Sequence, residues 1–179
     1  MLHRMKHFVA IATTLGSAAL VVVMLVFVIP AVRQNDVWVL YYKGCDFNVP
    51  RWVTVRSVVK EYTKDRPSCL VPSDGFSSRW SAWLMVPTND TYTFATLSDG
   101  GIRLYLDGRL LIDNWHDQWW KESARTTNLW LEAGAHPVLV EYYDRIGVAA
   151  FLVQWTGGGI PPKTPLGAPY LRKRWSFKP

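Results

Sequence analysis

Residues 91–115 read TYTFATLSDGGIRLYLDGRLLIDNW, and their short runs of β-branched and aromatic residues decide the fold class. The first run, residues 92–97, alternates as a half-buried strand does. Residues 98–101, SDGG, then break the pattern, and we expect the paired glycines to supply the positive φ of a sharp turn. Asp107-Gly108 predicts a β-hairpin, because a type I′ turn places both central residues at positive φ.

Further strands are predicted on both sides of this stretch. Residues 37–42, VWVLYY, form the first, and residues 76–86 alternate with Trp80, Ala82, Leu84 and Val86 on one face. Two more are predicted at residues 138–143 and 148–155. Short strands at regular spacing, separated by Gly and Asp turns, predict an all-β antiparallel sandwich.

These strings together resemble a known family. The set runs from WVLYY at residue 38 through FSSRWSAWLMVP, the stretch quoted first and LEAGAHPVLVEYYD, to FLVQW ending at residue 155. In this order they resemble the protective-antigen-type module, named for the N-terminal fragment of anthrax protective antigen. The resemblance implies an antiparallel β-sandwich or barrel over residues 37–155. Members are attached to adhesins, glycosidases, toxins and surface proteins and often bind carbohydrate.

The resemblance also raises the question of calcium. The family usually has two adjacent aspartates where this chain has Asp99-Gly100, and in sugar-binding adhesins that pair holds calcium. Calcium needs six to eight oxygen ligands, several of them carboxylates. The candidate ligands are Asp99, Asp107, Asp113, Asn114 and Asp117. The alternative is structural, with Asp107 as a hairpin turn residue and Asp113-Asn114 ending a strand. No other cofactor and no other metal site is predicted.

An apolar run precedes the module. Residues 8–29 carry no charge and are long enough to cross a bilayer as a helix. Arg4 and Lys6 lie in residues 1–7, so the positive-inside rule places the N-terminus in the cytoplasm and the module in the periplasm or outside the cell. A cleaved signal peptide is the alternative. The small residues Ala12, Gly16 and Ala19 share one helix face and predict a helix contact in the membrane, although such residues are common in membrane helices.

Positive charge is concentrated at the two ends of the chain. Residues 156–179 carry five basic residues and no acidic one, whereas residues 31–155 carry 13 basic and 14 acidic residues. A module balanced in this way is not predicted to bind nucleic acid. Three glycines at 157–159 are expected to release residues 156–179 from the sandwich as an extended, disordered tail. Its end is basic and aromatic, which suits anionic lipid or an acidic protein: Arg172, Lys173, Arg174, Trp175, Phe177 and Lys178.

The two cysteines allow one disulfide. An exported domain lies in an oxidising compartment, where Cys45 and Cys69 could form a bridge across a loop of irregular pattern. Two free thiols are the alternative, if the fold does not bring them together.

Exposed tryptophans supply the remaining candidate contacts. Trp115, Trp119 and Trp120 lie within six residues and cannot easily all enter one small core. Large aromatic residues left outside a core mark interfaces with protein, sugar or lipid. The alternative is that Trp115 belongs to the core and one of the other two packs under its loop.

The residues predict a binding protein and not an enzyme. No recognisable nucleophile motif, GxGxxG, P-loop, HExxH or CxxC is present. The first hypothesis is a single-pass accessory subunit in the inner or plasma membrane, which docks integral membrane subunits of a larger complex, for example a respiratory or photosynthetic one. The second is a membrane-tethered polysaccharide-binding module, with or without calcium. A glycoside hydrolase, with two carboxylates close in space, is a distant third.

Overall fold

The computed structural model of the chain describes residues 36–56, 59–125 and 129–178. Thirteen strands and no helix lie in these ranges, and none of the described segments is a helix that could span a membrane. Residues 8–29, with Ala12, Gly16 and Ala19, fall outside the described part of the chain. The strands are β1 (Val37–Lys43), β2 (Val49–Arg56), β3 (Lys60–Thr63), β4 (Phe76–Val86), β5 (Asp90–Ser98), β6 (Gly101–Leu106), β7 (Arg109–Asn114), β8 (Lys121–Arg125), β9 (Leu129–Leu131), β10 (Gly134–Asp144), β11 (Ala149–Gly157), β12 (Ile160–Pro165) and β13 (Leu171–Lys173).

The strands form two antiparallel sheets. The first has the order β2-β1-β4-β10-β6-β7, with β13 also paired to β4. The second has the order β12-β11-β5-β8, with β3 paired to β11 and β9 paired to β5. The predicted all-β antiparallel fold is confirmed.

The core lies between the two sheets, and its largest side chains are aromatic. Trp80 of β4 meets Phe151 of β11 edge to face, with ring centroids 5.1 Å apart. Tyr92 and Phe94 of β5 stack on Trp155 at 5.6 and 6.0 Å. These large side chains are completely or almost completely buried, as is expected of the residues that dominate a small β core. In the described part of the chain the core residues lie between Val37 and Leu171, inside one compact unit.

Two turn predictions have different outcomes. The hairpin at Asp107-Gly108 is confirmed, since β6 pairs with β7 and the two residues have φ of 52° and 75°. The reason given for the paired glycines is wrong, because neither Gly100 nor Gly101 has a positive φ. Glycine is needed at both positions because the fold leaves no space for a side chain. A Cβ on Gly100 would lie 2.0 Å from the Tyr143 carbonyl oxygen, and one on Gly101 would lie 2.1 Å from the ring of the same tyrosine.

The prediction of a released tail is wrong. The glycines at 157–159 have φ of 121°, 56° and 81° and form the turn from β11 into β12, which pairs back onto β11. Leu166 and Leu171 are completely buried, and β13 pairs with β4. Burial of these leucines offsets the conformational entropy lost when the segment is ordered.

Candidate functional site

An open cleft of about 370 Å³ lies at one end of the sandwich. Three connections line it: the β5–β6 turn with Asp99 and Gly100, residues 117–119 between β7 and β8, and residues 144–146 of the β10–β11 turn. Gln118 joins the first two, since its backbone N–H donates to the Asp99 carbonyl (3.2 Å) and its amide donates to Ser98 Oγ (2.8 Å). These hydrogen bonds fix the first two connections relative to each other.

Asp99 lies in the wall of the cleft in a fixed orientation. Its Oδ1 accepts hydrogen bonds from the Tyr142 hydroxyl (2.9 Å) and the Ala150 N–H (3.0 Å). Burial raises the pKa of Asp99, and these two hydrogen bonds oppose the rise by stabilising the carboxylate. One carboxylate oxygen is therefore committed to the protein.

Asp144 is the most deeply buried acid of the cleft. The residue is 2% exposed, and its Oδ2 has no hydrogen-bond partner among the described residues. Burial, together with the nearby charges of Asp99, Asp74 and Asp117, raises the pKa of Asp144 from 3.8 to about 7. At neutral pH this carboxyl is partly protonated, which lowers the cost of keeping it buried without a partner.

The mouth of the cleft combines an ion pair with exposed apolar groups. Arg145 Nε lies 2.9 Å from Asp117 Oδ2, and both side chains are more than half exposed. Trp119 is 91% exposed and Ile146 is 81% exposed beside them. An indole left almost fully in water at the rim of a cleft offers a flat apolar surface to a ligand.

Trp115 and Trp120, the other tryptophans of this segment, do not line the cleft. Trp115 packs on the outer face of the first sheet, with its ring 4.8 Å from Tyr143 and the Arg103 guanidinium 4.5 Å above it. Trp120 is half exposed, and it is not among the residues that line the cleft. Only Trp119 of the three faces the cleft.

The residues present do not fit the calcium site that the resemblance implied. Of the five candidate ligands, the structure brings Asp99 and Asp117 to the cleft. Asp107 is at the hairpin tip, 2.8 Å from His136 Nδ1, and Asp113 is bonded to Arg103 at 2.9 Å. Asn114 is buried at the end of β7 and does not line the cleft.

Gly100 stands where the resemblance implies the second calcium-binding aspartate. A side chain there would meet the Tyr143 carbonyl oxygen at 2.0 Å, so the backbone as it stands has no room for a second aspartate. In the described ranges no group of three or more His, Cys, Asp and Glu side chains is placed to hold a metal ion.

The remaining predicted residues do not line the cleft. Arg172 and Lys173 lie in β13, and residues 174–178 follow it. There Trp175 contacts Trp38, and the Arg174 guanidinium lies over Trp83. Cys45 is half-buried with its thiol 3.7 Å from the Asp144 carbonyl, and Cys69 is exposed. Both are free thiols, so the structure does not contain the predicted bridge.

Sequence reasoning missed Gln118, Asp144, Arg145 and Ile146. The last three lie in the turn that ends β10, about 45 residues from Asp99 in sequence. The available signal was topological: Asp99 follows β5 and Asp144 precedes β11, and the structure pairs these strands antiparallel. Antiparallel pairing brings the end of one strand next to the start of the other.

Comparison with known proteins identifies relatives of the module. The model of the PA14 domain family matches residues 37–165. Anti-sigma-I factor RsgI3 of Acetivibrio thermocellus is 30% identical over 118 residues, which are 65% of this chain and 18% of that protein. A solved anti-sigma factor domain-containing protein is 27% identical with a TM-score of 0.73, covering 81% of this chain and 50% of the other. The PA14 sugar-binding domain of an RTX adhesin, 12% identical, has the same fold, with a TM-score of 0.64 over 79% of this chain and 100% of that one.

These relatives correct the first functional hypothesis. The chain spans half or less of the anti-sigma-factor proteins that it matches. The prediction of an accessory subunit that docks a larger membrane complex is wrong, because the relatives are anti-sigma factor proteins. The short distance in sequence between the apolar run and β1 does not distinguish a docking subunit from a sensor held near the membrane.

Proposed function

Because the chain belongs to the PA14 domain family, we propose that its β-sandwich is a carbohydrate-binding sensor module of an anti-sigma-factor type of membrane protein. The observation that carries this proposal is the cleft itself, where the exposed indole of Trp119 stands beside the Asp117–Arg145 pair. The second sequence hypothesis, a membrane-tethered polysaccharide-binding module, is retained without calcium.

The chemistry of the cleft suits a neutral sugar. A pyranose ring has an apolar C–H face and a rim of hydroxyl groups, so it needs a flat aromatic surface and both donors and acceptors. Trp119 offers the surface, Arg145 offers donors, and Asp117 offers acceptors. Asp99, Asp117 and Asp144 against one Arg145 give the cleft an acidic balance, which disfavours a polyanionic glycan.

The predicted anchor gives this module its location. Residues 8–29 would cross the membrane with residues 1–7 in the cytoplasm, so the cleft would face the periplasm or the cell exterior. Polysaccharide is found in that space. Binding there would be the input of the sensor, and the module carries out no chemistry on the glycan.

The proposal is tested by titrating purified protein with neutral polysaccharide fragments from a glycan array. Trp119→Ala should weaken binding by about 30-fold, the loss of about 2 kcal/mol typical of an aromatic anchor. Trp130→Ala is the matched control: Trp130 is 61% exposed and pairs opposite Thr91, eight residues and about 26 Å along β5 from Asp99.

The role of calcium is tested in the same titration. EDTA should leave the affinity of the wild-type protein unchanged, because Gly100 excludes the second aspartate. The proposal is refuted if no neutral glycan on the array binds, or if Trp119→Ala and Trp130→Ala bind equally well.

A further inference from the structure

A second surface, the basic-aromatic patch, lies away from the cleft. It comprises the C-terminal residues Arg172, Lys173, Arg174, Trp175, Phe177 and Lys178, with Trp38 of β1 and Trp83 of β4. Its aromatic rings support one another. Trp175 meets Trp38 edge to face at 4.8 Å and Phe177 at 5.2 Å, and the Arg174 guanidinium lies 5.3 Å over Trp83. Trp175 remains 61% exposed, so the contacts hold the ring in place without covering it.

The patch is built where the chain enters the sandwich. On β4, Ser81 pairs with Trp38 of β1, and the next residue, Ala82, pairs with Lys173 of β13. The end of β13 and the start of β1 therefore lie next to each other, in line along the same edge of β4. Residues 174–178 must leave the sheet at this point, next to the segment that leads into β1.

The apolar run, residues 8–29, ends shortly before β1. Seven residues, 30–36, join the end of the apolar run to Val37, and seven residues span at most about 25 Å. If residues 8–29 cross a bilayer, the start of β1 cannot lie far from its surface. The patch shares that position because Trp175 contacts Trp38.

The chemistry of the patch matches an anionic bilayer surface. Four of the seven residues 172–178 are basic, and no acidic residue occurs in residues 156–179. Lysine and arginine near an anionic leaflet are attracted to its headgroups. Tryptophan favours the headgroup region, where its ring meets hydrocarbon and its N–H meets water.

We propose that the basic-aromatic patch docks on anionic lipid headgroups and thereby orients the sandwich on the membrane. Trp83 pairs with Pro137 of β10, while the cleft residue Asp144 lies seven residues further along β10, opposite Phe76. At 3.3 Å per residue the cleft is about 23 Å from the patch along the sheet. Docking through the patch points the cleft away from the bilayer, toward the space where polysaccharide is found.

The experiment uses the full chain reconstituted in vesicles that carry brominated lipid, with phosphatidylcholine alone or with added phosphatidylglycerol. All ten tryptophans lie at residue 38 or later, so the apolar run contributes no fluorescence. Bromine quenches tryptophans that lie close to the lipid. We expect quenching to rise about twofold with phosphatidylglycerol and to fall back in high salt. Trp175→Phe should lower this increase without removing it, because Trp175 is the most exposed tryptophan of the patch and Trp38 and Trp83 remain.

A charge-matched pair of double variants provides the control. Arg174→Glu with Lys178→Glu should abolish the increase, whereas Lys64→Glu with Arg66→Glu should leave it unchanged. Lys64 and Arg66 are exposed and follow β3, whose end pairs with Ala149 near the cleft. Quenching that does not depend on phosphatidylglycerol overturns the proposal, as it would if the patch binds an acidic protein or a second copy of the chain. An increase that is as large in Trp175→Phe as in the wild type also overturns it. The salt response of the wild type decides the matter if a variant does not fold.

Discussion

Replacing the buried acid of the cleft should change how the stability of the module depends on pH. In Asp144→Asn the side chain keeps its size and loses its charge. Asp144 is 2% exposed, its Oδ2 has no partner among the described residues, and its pKa is raised from 3.8 to about 7. The folded protein therefore binds a proton in a pH range where the unfolded chain has released it.

The sign and the size of the effect follow from this difference in proton binding. The folded state holds more protons between about pH 4 and pH 7, so the free energy of unfolding falls as pH rises through that window. A shift of about three pH units corresponds to at most about 4 kcal/mol. Because local relaxation of the fold and entry of water from the cleft reduce the penalty of a buried charge, we expect about 1–2 kcal/mol. For a domain of this size that corresponds to about 2–8 °C in melting temperature.

The assay is the melting temperature measured from pH 4 to pH 8.5 for the wild type, Asp144→Asn and the exposed control Asp65→Asn. Relative to the wild type, Asp144→Asn should become progressively more stable above pH 5 and reach its full advantage above pH 7. Asp65→Asn should run parallel to the wild type, because Asp65 lies in an exposed loop. If the Asp144→Asn curve also runs parallel, the carboxyl is ionised without penalty and the reasoning is refuted.

Two further predictions concern Gly100 and His136. Gly100→Ala should lower the free energy of unfolding by about 1–3 kcal/mol, because its Cβ would lie 2.0 Å from the Tyr143 carbonyl; Gly159→Ala, strained by φ of 81° but in open space, should cost less in the same denaturant titration. Burial lowers the pKa of His136, but its hydrogen bonds to Asp107 and to the Glu132 carbonyl, with the charges of these two acids, together outweigh this and the net shift is upward. That contribution to stability is complete below about pH 6.5 and is lost as pH rises through the raised pKa. An NMR titration of Asp107→Asn should show a lower pKa for His136, and an unchanged value would contradict the assignment.

The strands in the middle of the chain were predictable because their signals are local. The two-residue alternation of β4 and the Asp107-Gly108 turn depend on side chains and dihedral angles within a few residues. The resemblance to a known family rested on the same stretches, and the family match to residues 37–165 confirms it. Asp99 was named from that resemblance and Trp119 from its excess of aromatic neighbours, and both line the cleft.

The C-terminal strands were not predictable from local pattern. Leu171 becomes buried only because β4, nearly ninety residues earlier in the chain, offers an unpaired edge beyond the start of β1. A run rich in proline and glycine has no periodicity that would indicate such a partner. The same limit applies to the patch, since the contact between Trp38 and Trp175 joins the two ends of the module.

The sequence by itself determined the all-β fold class, the hairpin and the aromatic material of the core, because alternation and turn chemistry act between near neighbours. Only the tertiary structure decided which charged groups share the cleft, that Gly100 leaves no room for a second carboxylate, and that the basic-aromatic patch lies at the opposite end. These properties depend on distances between residues far apart in the chain, and such distances are set by how the two sheets pair and pack.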